Sequence, residues 1–235
     1  MAIRLMVFDM AGTTVNDEDN AVATCVCEAV REAGIDASIE DVNPVMGMPK
    51  PLAVAALLGD ARGQDPSDEE VERVHADFRE RMIRYYRDAP NVRPIDGVEE
   101  VFAALRRRGI RIGLDTGFDR PIADAILARL GWDATVIDDS VTSDEVERGR
   151  PAPDMIDALM ASAGISDSRE VGKIGDSVSD IEQGINAECG LVVAVDSPRT
   201  RPVLSQYPTI ESTSDIRELI GMVDTLDAVQ SGVGQ

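Results

Sequence analysis

The sequence predicts an α/β fold in which a mostly parallel sheet is interrupted, after its first strand, by a block of helices. Three observations carry this. The apolar run Leu5-Met6-Val7-Phe8 ends in Asp9; residues from about 17 to 88 follow a helical pattern; and from residue 98 onward strands and helices alternate. Continuous apolar runs mark strands buried on both faces, and the alternation implies right-handed crossovers between parallel neighbours.

The elements follow in order. After Asp9 a turn carries Ala11, Gly12 and the two hydroxyls of Thr13 and Thr14, and Asn16-Asp17-Glu18-Asp19 gives the next helix an acidic first turn. Val22, Val26, Ala29, Val30 and Ala33 recur at helical spacing up to Gly34. A short helix is expected over Ser38 to Met46, and Gly47-Met48-Pro49-Lys50-Pro51 opens a third that runs through Leu57 and Leu58 to Gly59. Ser67 and Glu70 are spaced as a capping box for a long helix with Val71, Val74, Phe78, Met82 and Tyr85 on one stripe. The Pro/Asn/Gly-rich stretch from Ala89 to Gly97 leads back to the sheet. Then come helix Val98 to Arg108, strand Ile110 to Asp115, helix Arg120 to Leu130, a short strand at Thr135-Val136-Ile137, helix Pro153 to Ser162, strand Val171 to Ile174, helix Ser179 to Asn186 and strand Leu191 to Val195. Ser214 to Met222 reads as a helix and Ser231 to Gln235 as a frayed tail.

Composition narrows the functions. A chain of 235 residues can hold a core domain and a smaller insert. The net charge of -21 repels polyanions, so no nucleic acid and no anionic membrane is expected as a partner, and 3% aromatics leave little for stacking on bases or sugars. Cys25, Cys27 and Cys189 form neither a disulfide framework nor a metal-binding pair; Cys25 and Cys27 read as small packing residues. The chain enters a strand within its first residues and has no apolar run of membrane-spanning length, so a reducing, cytoplasmic location is expected.

Four polar clusters fall at the carboxyl ends of predicted strands or in the loops beyond. They are Asp9; Thr116-Gly117, able to hold an anionic oxygen through a hydroxyl and a backbone N–H; Arg150, before Pro151-Ala152-Pro153; and Asp176-Ser177-Val178-Ser179-Asp180, whose two carboxylates can meet beside one ion. Taken singly each is an ordinary turn former, surface arginine or helix cap. In a parallel sheet they converge on one rim, where carboxylates, a hydroxyl and a guanidinium suit Mg²⁺ together with a phosphoryl group.

The order Asp-x-x-Gly-Thr, Thr-Gly, a basic residue before Pro-x-Pro, and Gly-Asp-Ser-x-x-Asp, with a helical insert after the first motif, resembles the haloacid dehalogenase superfamily over roughly residues 3 to 196. The resemblance implies a Rossmann-like core (residues 1–15 and 92–235) with an inserted helical cap domain (16–91). It implies Asp9 as nucleophile, Thr116 and Arg150 holding the transferring group, and Mg²⁺ at Asp9, Asp176, Asp180 and the carbonyl of Ala11. Substrate contacts would come from Gly12, Met46, Gly47 and Gly117.

Two positions depart from that superfamily's phosphatases. Ala11 stands where a general acid protonates the leaving alkoxide, help worth about 10²–10⁴-fold, and Arg150 stands in place of the usual lysine. Both resemble the phosphonatase-like subgroup close to phosphonoacetaldehyde hydrolase, which places a Schiff-base lysine in the cap. Met46-Gly47-Met48-Pro49-Lys50 matches that segment and puts Lys50 in the reactive position, at a helix N-terminus whose dipole favours the neutral amine. The match is partial: Ala53 and Phe118 stand where the hydrolase has a histidine and an aromatic hydroxyl, and the single histidine, His75, reads as structural or exposed.

The expected function is Mg²⁺-dependent hydrolysis of the C–P bond of a small 2-oxoalkyl phosphonate, through a Lys50 Schiff base and an Asp9 aspartyl-phosphate, by a monomer or homodimer. A phosphoglycolate-type phosphatase is the alternative, supported by Gly47-Met48-Pro49 and opposed by Ala11. A non-catalytic sensor of a phosphorylated metabolite is a third reading, opposed by Asp9, Asp176 and Asp180.

Overall fold

Strands β1 (Leu5–Asp9), β2 (Arg111–Thr116), β3 (Asp139–Thr142), β4 (Val171–Gly175), β5 (Leu191–Val195) and β6 (Glu211–Thr213) form one parallel sheet in the order 3-2-1-4-5-6. The structure is a computed structural model describing residues 2–17 and 20–232. β1 is buried along its whole length and lies between β2 and β4. Its Met6 and Phe8 join one apolar cluster while Leu5 and Val7 join another, as side chains alternating across a pleat must. The chain leaves β1 toward β2 on one side and returns to β4 on the other, so the strand order reverses beside the carboxyl end of β1. That reversal opens a crevice at the rim.

Between β1 and β2 run the helices α1 (Ala21–Glu32), α2 (Ile39–Val42), α3 (Lys50–Arg62) and α4 (Asp68–Asp88). The remaining helices are α5 (Val98–Arg107), α6 (Arg120–Leu130), α7 (Asp154–Ala163), α8 (Val178–Asn186) and α9 (Leu219–Gly232). α4 packs on α1 and α3 and also on α6, so the apolar cluster beneath Phe8 and Phe102 continues to Val26, Phe78 and Met82 of the insert. Cys25 and Cys27 are buried packing residues of α1. The two connections run side by side: Asn16 accepts a hydrogen bond from Arg93 N–H at 2.9 Å, and Val15 bridges Pro94.

Several expected features differ in place. The strand near Thr135-Val136-Ile137 is a turn, because Asp133 accepts from the N–H and hydroxyl of Thr135 at 2.8 and 2.6 Å; β3 begins at Asp139 in a polar stretch without a strand pattern. β6 is a three-residue edge strand too short to leave a periodic signal. The helix expected over Ser38 to Met46 is one α-turn followed by a 3₁₀ turn at Asn43–Val45, where Pro44 supplies no N–H. Ser67 caps α4 through Glu70 N–H, but the Glu70 carboxylate pairs with Arg62 at 2.7 Å instead of closing the box. The buried stripe of α4 ends in Tyr86, with Tyr85 half-buried.

Of the acidic stretch before α1, Glu18 and Asp19 lie outside the described residues. Asp17 accepts from Val22 N–H at 3.2 Å, and the first turn of α1 itself carries no acid. The expected tail from Ser231 is partly helix, since α9 runs to Gly232; 233–235 lie outside the described residues.

Candidate active site

The rim is built from strand ends. β1 delivers Asp9, its registered neighbour on β2 delivers Asp115 followed by Thr116, and β4 leads into Asp176. Thr14 locks the turn after Asp9 by donating its hydroxyl to the Asp9 carbonyl at 2.9 Å. Ser177 and Asp180 form a reciprocal capping box at the start of α8, so the capping and site-forming readings of Asp180 are both realised.

A buried ion network joins these groups. Arg150, 1% exposed, places Nη2 at 2.7 Å from Asp9 and 2.9 Å from Asp115, and Nη1 at 2.6 Å from Asp180. Lys173, which points from β4 with no solvent exposure, reaches Asp115 at 2.5 Å and Asp180 at 3.0 Å. Burial of such charges is costly unless each is paired. Here Arg150 and Lys173 overcome the upward push of burial and hold Asp180 below the usual carboxylate range. Arg199, on the loop after β5, pairs with Asp176 and lies 3.4 Å from Asp17.

The helical insert closes over the rim. Gly47 has φ +82°, and a Cβ there would stand 2.2 Å from Ser177 Oγ; a Cβ on Gly117 would stand 2.7 Å from the Met48 carbonyl. Only glycines permit this approach of the two segments. The contact brings the first residue of α3, Lys50, into the site, where it is 3% exposed. Its Nζ donates to the Met48 carbonyl at 3.2 Å and lies 5.5 Å from the centre of the Phe118 ring. Burial, aided by the charge of Arg150, brings the Lys50 pKa down to about 8.

Asp9, Ala11, Met46, Gly47, Lys50, Thr116, Gly117, Arg150, Asp176 and Asp180 all border one cavity of about 30 Å³. Gly12 is the exception among the expected residues: it stands behind Asp176, where a Cβ would meet Oδ2 at 2.5 Å, and borders an outer cleft. The Thr116 hydroxyl accepts from Phe118 N–H at 3.2 Å and keeps its own proton for a ligand. His75 is buried on α4, stacked on Phe78, with Nε2 3.8 Å from Asp119.

Carboxylate oxygens of Asp9, Asp176 and Asp180 lie within 4.8 Å of one another. Burial pushes Asp9 up to about 6, against the opposing charge of Arg150, and pushes Asp176 up to about 8, against Arg199, with neighbouring carboxylates adding to both. Three hard oxygen donors that repel one another in a buried site fit a divalent cation. The sequence places Asp115 at a strand end without assigning it a role, and it does not single out Lys173 or Arg199. A lysine inside the apolar strand Val-Gly-Lys-Ile-Gly is itself a signal, since a charge there needs partners; Arg199 gives none.

A parallel α/β sheet carrying a carboxylate cluster and buried cations at its switch point, beneath a helical insert, defines the class of protein. The chain belongs to the haloacid dehalogenase-like hydrolase family, whose profile matches residues 3–188, and it is a hydrolase. It is 32% identical over 233 residues to phosphonoacetaldehyde hydrolase from Bacillus cereus, covering 95% of this chain and 87% of that one. Among solved structures, a hydrolase from Pseudomonas syringae shares the fold with a TM-score of 0.82 at 22% identity, covering 94% of this chain and 98% of that one. A phosphonoacetaldehyde hydrolase like protein from Oleispira antarctica does so with a TM-score of 0.74 at 21% identity, covering 100% and 86%. Among the described residues, no helix is long and apolar enough to cross a membrane.

Proposed function

We propose that the protein hydrolyses the C–P bond of a small 2-oxoalkyl phosphonate, with Lys50 as the Schiff-base amine and Asp9 as the nucleophile. The observation that carries this reading is the burial of Lys50 in the cavity of Asp9, its pKa brought to about 8, while Ala11 offers no acid to a leaving alkoxide. A neutral amine is the form that attacks a carbonyl.

Lys50 Nζ adds to the substrate carbonyl and loses water to give an iminium. That iminium draws the C–P electron pair as the phosphoryl group moves to Asp9, and an enamine leaves without needing a proton on oxygen. Arg150, held by three carboxylates, opposes the upward push of burial on Asp9 and aims its carboxylate. The Thr116 hydroxyl and Gly117 N–H supply donors to the phosphonyl oxygens. Asp9, Asp176, Asp180 and the Ala11 carbonyl would hold Mg²⁺, which supplies positive charge to those oxygens when bound. Residues 16–91 act as a cap over a core of residues 1–15 and 92–235. A cavity of about 30 Å³ holds roughly one water, so the cap must open to admit substrate and close to exclude solvent. We place the enzyme in the cytoplasm, as a monomer or homodimer.

Borohydride added with 2-oxoethylphosphonate is expected to fix the carbon skeleton on Lys50, read by peptide mass spectrometry, and Lys50→Arg is expected to abolish phosphate release. Rapid hydrolysis of phosphoglycolate with no adduct on Lys50 would establish the phosphatase reading instead.

A further inference from the structure

Arg199 borders the cavity, yet neither the motifs nor the reaction above uses it. Its loop is fastened to the rim: Ser197 donates its hydroxyl to the Asp176 carbonyl at 2.9 Å, and Arg199 N–H donates back to Ser197 Oγ at 3.1 Å. The side chain is 13% exposed and also borders the two outer clefts, one beside Asp17 and one beside α8.

The other cavity cations are committed. Both terminal nitrogens of Arg150 are engaged by carboxylates, and Lys50 must serve as an amine. Arg199 pairs through one terminal nitrogen with Asp176, whose oxygens a divalent cation would share, and its other terminal nitrogen lies a longer 3.4 Å from Asp17, so of the three its guanidinium is the most readily recruited by an incoming anion. It also borders the same cavity as the reacting amine of Lys50.

A carbonyl carbon joined to Lys50 carries two substituents. One is the methylene leading to the phosphonyl group at Asp9. The other meets what remains of the lining, which is apolar at Val22, Met46 and Phe118, polar at Ser177, whose hydroxyl is donated to Asp180, and charged only at Arg199. An aldehyde hydrogen leaves that guanidinium unused, whereas a carboxylate matches its charge and planar donor pair.

We propose that Arg199 is a specificity-determining residue that receives a carboxylate on the substrate's carbonyl carbon, making the substrate a 3-phosphono-2-oxo acid. This inference rests on the Lys50 and Asp9 reading. The reaction balances: iminium formation releases one water, the C–P electron pair enters the enamine, and the phosphoryl group goes to Asp9. The enamine carbon then gains a proton, one water hydrolyses the iminium and another the acyl phosphate. The net products are a 2-oxo acid and phosphate.

The test compares phosphate release by the Mg²⁺-loaded enzyme from 3-phosphono-2-oxopropanoate, from 2-oxopropylphosphonate, in which a methyl group replaces the carboxylate, and from 2-oxoethylphosphonate. The acid is expected to exceed the methyl ketone in kcat/KM by at least about 10-fold. Arg199→Gln should bring that ratio toward one, mainly through KM, and Arg199→Lys should restore part of it, with Mg²⁺ affinity followed by calorimetry. A ratio near one in the unaltered enzyme overturns the proposal. So does an Arg199→Gln variant that lowers all three substrates equally, with or without a change in Mg²⁺ affinity. Absence of a borohydride adduct on Lys50 with every substrate is a separate result, which defeats the underlying reading.

Discussion

Arg150 and Lys50 are both buried cations in one small cavity, and they are held in opposite ways. Arg150 sits on the sheet rim with carboxylates at 2.6, 2.7 and 2.9 Å, a surround that keeps it protonated in spite of burial. Lys50 comes from the insert and has a backbone carbonyl and the face of a ring. Paired burial stabilises a charge, and burial with weak partners destabilises it. The rim therefore fixes charges in place, while the insert delivers an amine that is ready to lose its proton.

The largest effect that tests this contrast is at the rim's centre. Asp9→Asn keeps the shape but removes the oxygen anion that attacks in the proposed reaction, and phosphate release is expected to fall by about 10⁴-fold or more in steady-state assays. A residual rate within tenfold of the parent would assign the nucleophile elsewhere. Next, Lys173→Met withdraws a cation shared by two fully buried carboxylates, with an expected loss of about 3–5 kcal/mol in urea unfolding. A loss below about 1 kcal/mol would mean that Arg150 alone satisfies Asp115 and Asp180.

On the insert's side, Gly47→Ala drives a methyl group into Ser177 and strains a backbone at φ +82°. Misplacing Lys50 by about 1 Å should cost up to about 10²-fold in kcat, with the urea midpoint falling far less than in Lys173→Met. The mildest test is pH. In the proposed reaction Lys50 attacks as the free amine, whose fraction rises about tenfold per pH unit below the pKa and then levels. With the pKa lowered from 10.5 to about 8, the initial rate of borohydride trapping should rise with pH and flatten near 8. A bend near 10.5 would show Lys50 to be as well solvated as a surface lysine.

Most of the sheet is visible in the chain because buried parallel strands must be apolar, and β1, β2, β4 and β5 are found within a residue or two. β3 and β6 are not, since edge strands carry polar residues and take their pairing from a neighbour rather than from their own pattern. The rim behaves similarly. Asp9, Thr116, Arg150, Asp176 and Asp180 stand out because they fall at strand ends or in the loops beyond, and Asp115 shares the strand end of Thr116 without a pattern that gives it a role, whereas Lys173 lies inside a strand and Arg199 lies on a loop with no local signature. His75, expected as structural or exposed, is buried against Phe78 and faces Asp119, the residue just before α6, a partner no spacing along α4 reveals.

By itself the sequence determined the fold class, the order of all but its edge strands and most of the residues that meet at the sheet's carboxyl edge, because these follow from local periodicity and from the placing of polar residues after apolar runs. Tertiary structure alone decided how those groups are charged. The network around Arg150, the lowered pKa of Lys50 and the position of Arg199 depend on burial and on partners distant in the chain, and electrostatic free energy is set by distance and solvent exclusion rather than by order along the backbone.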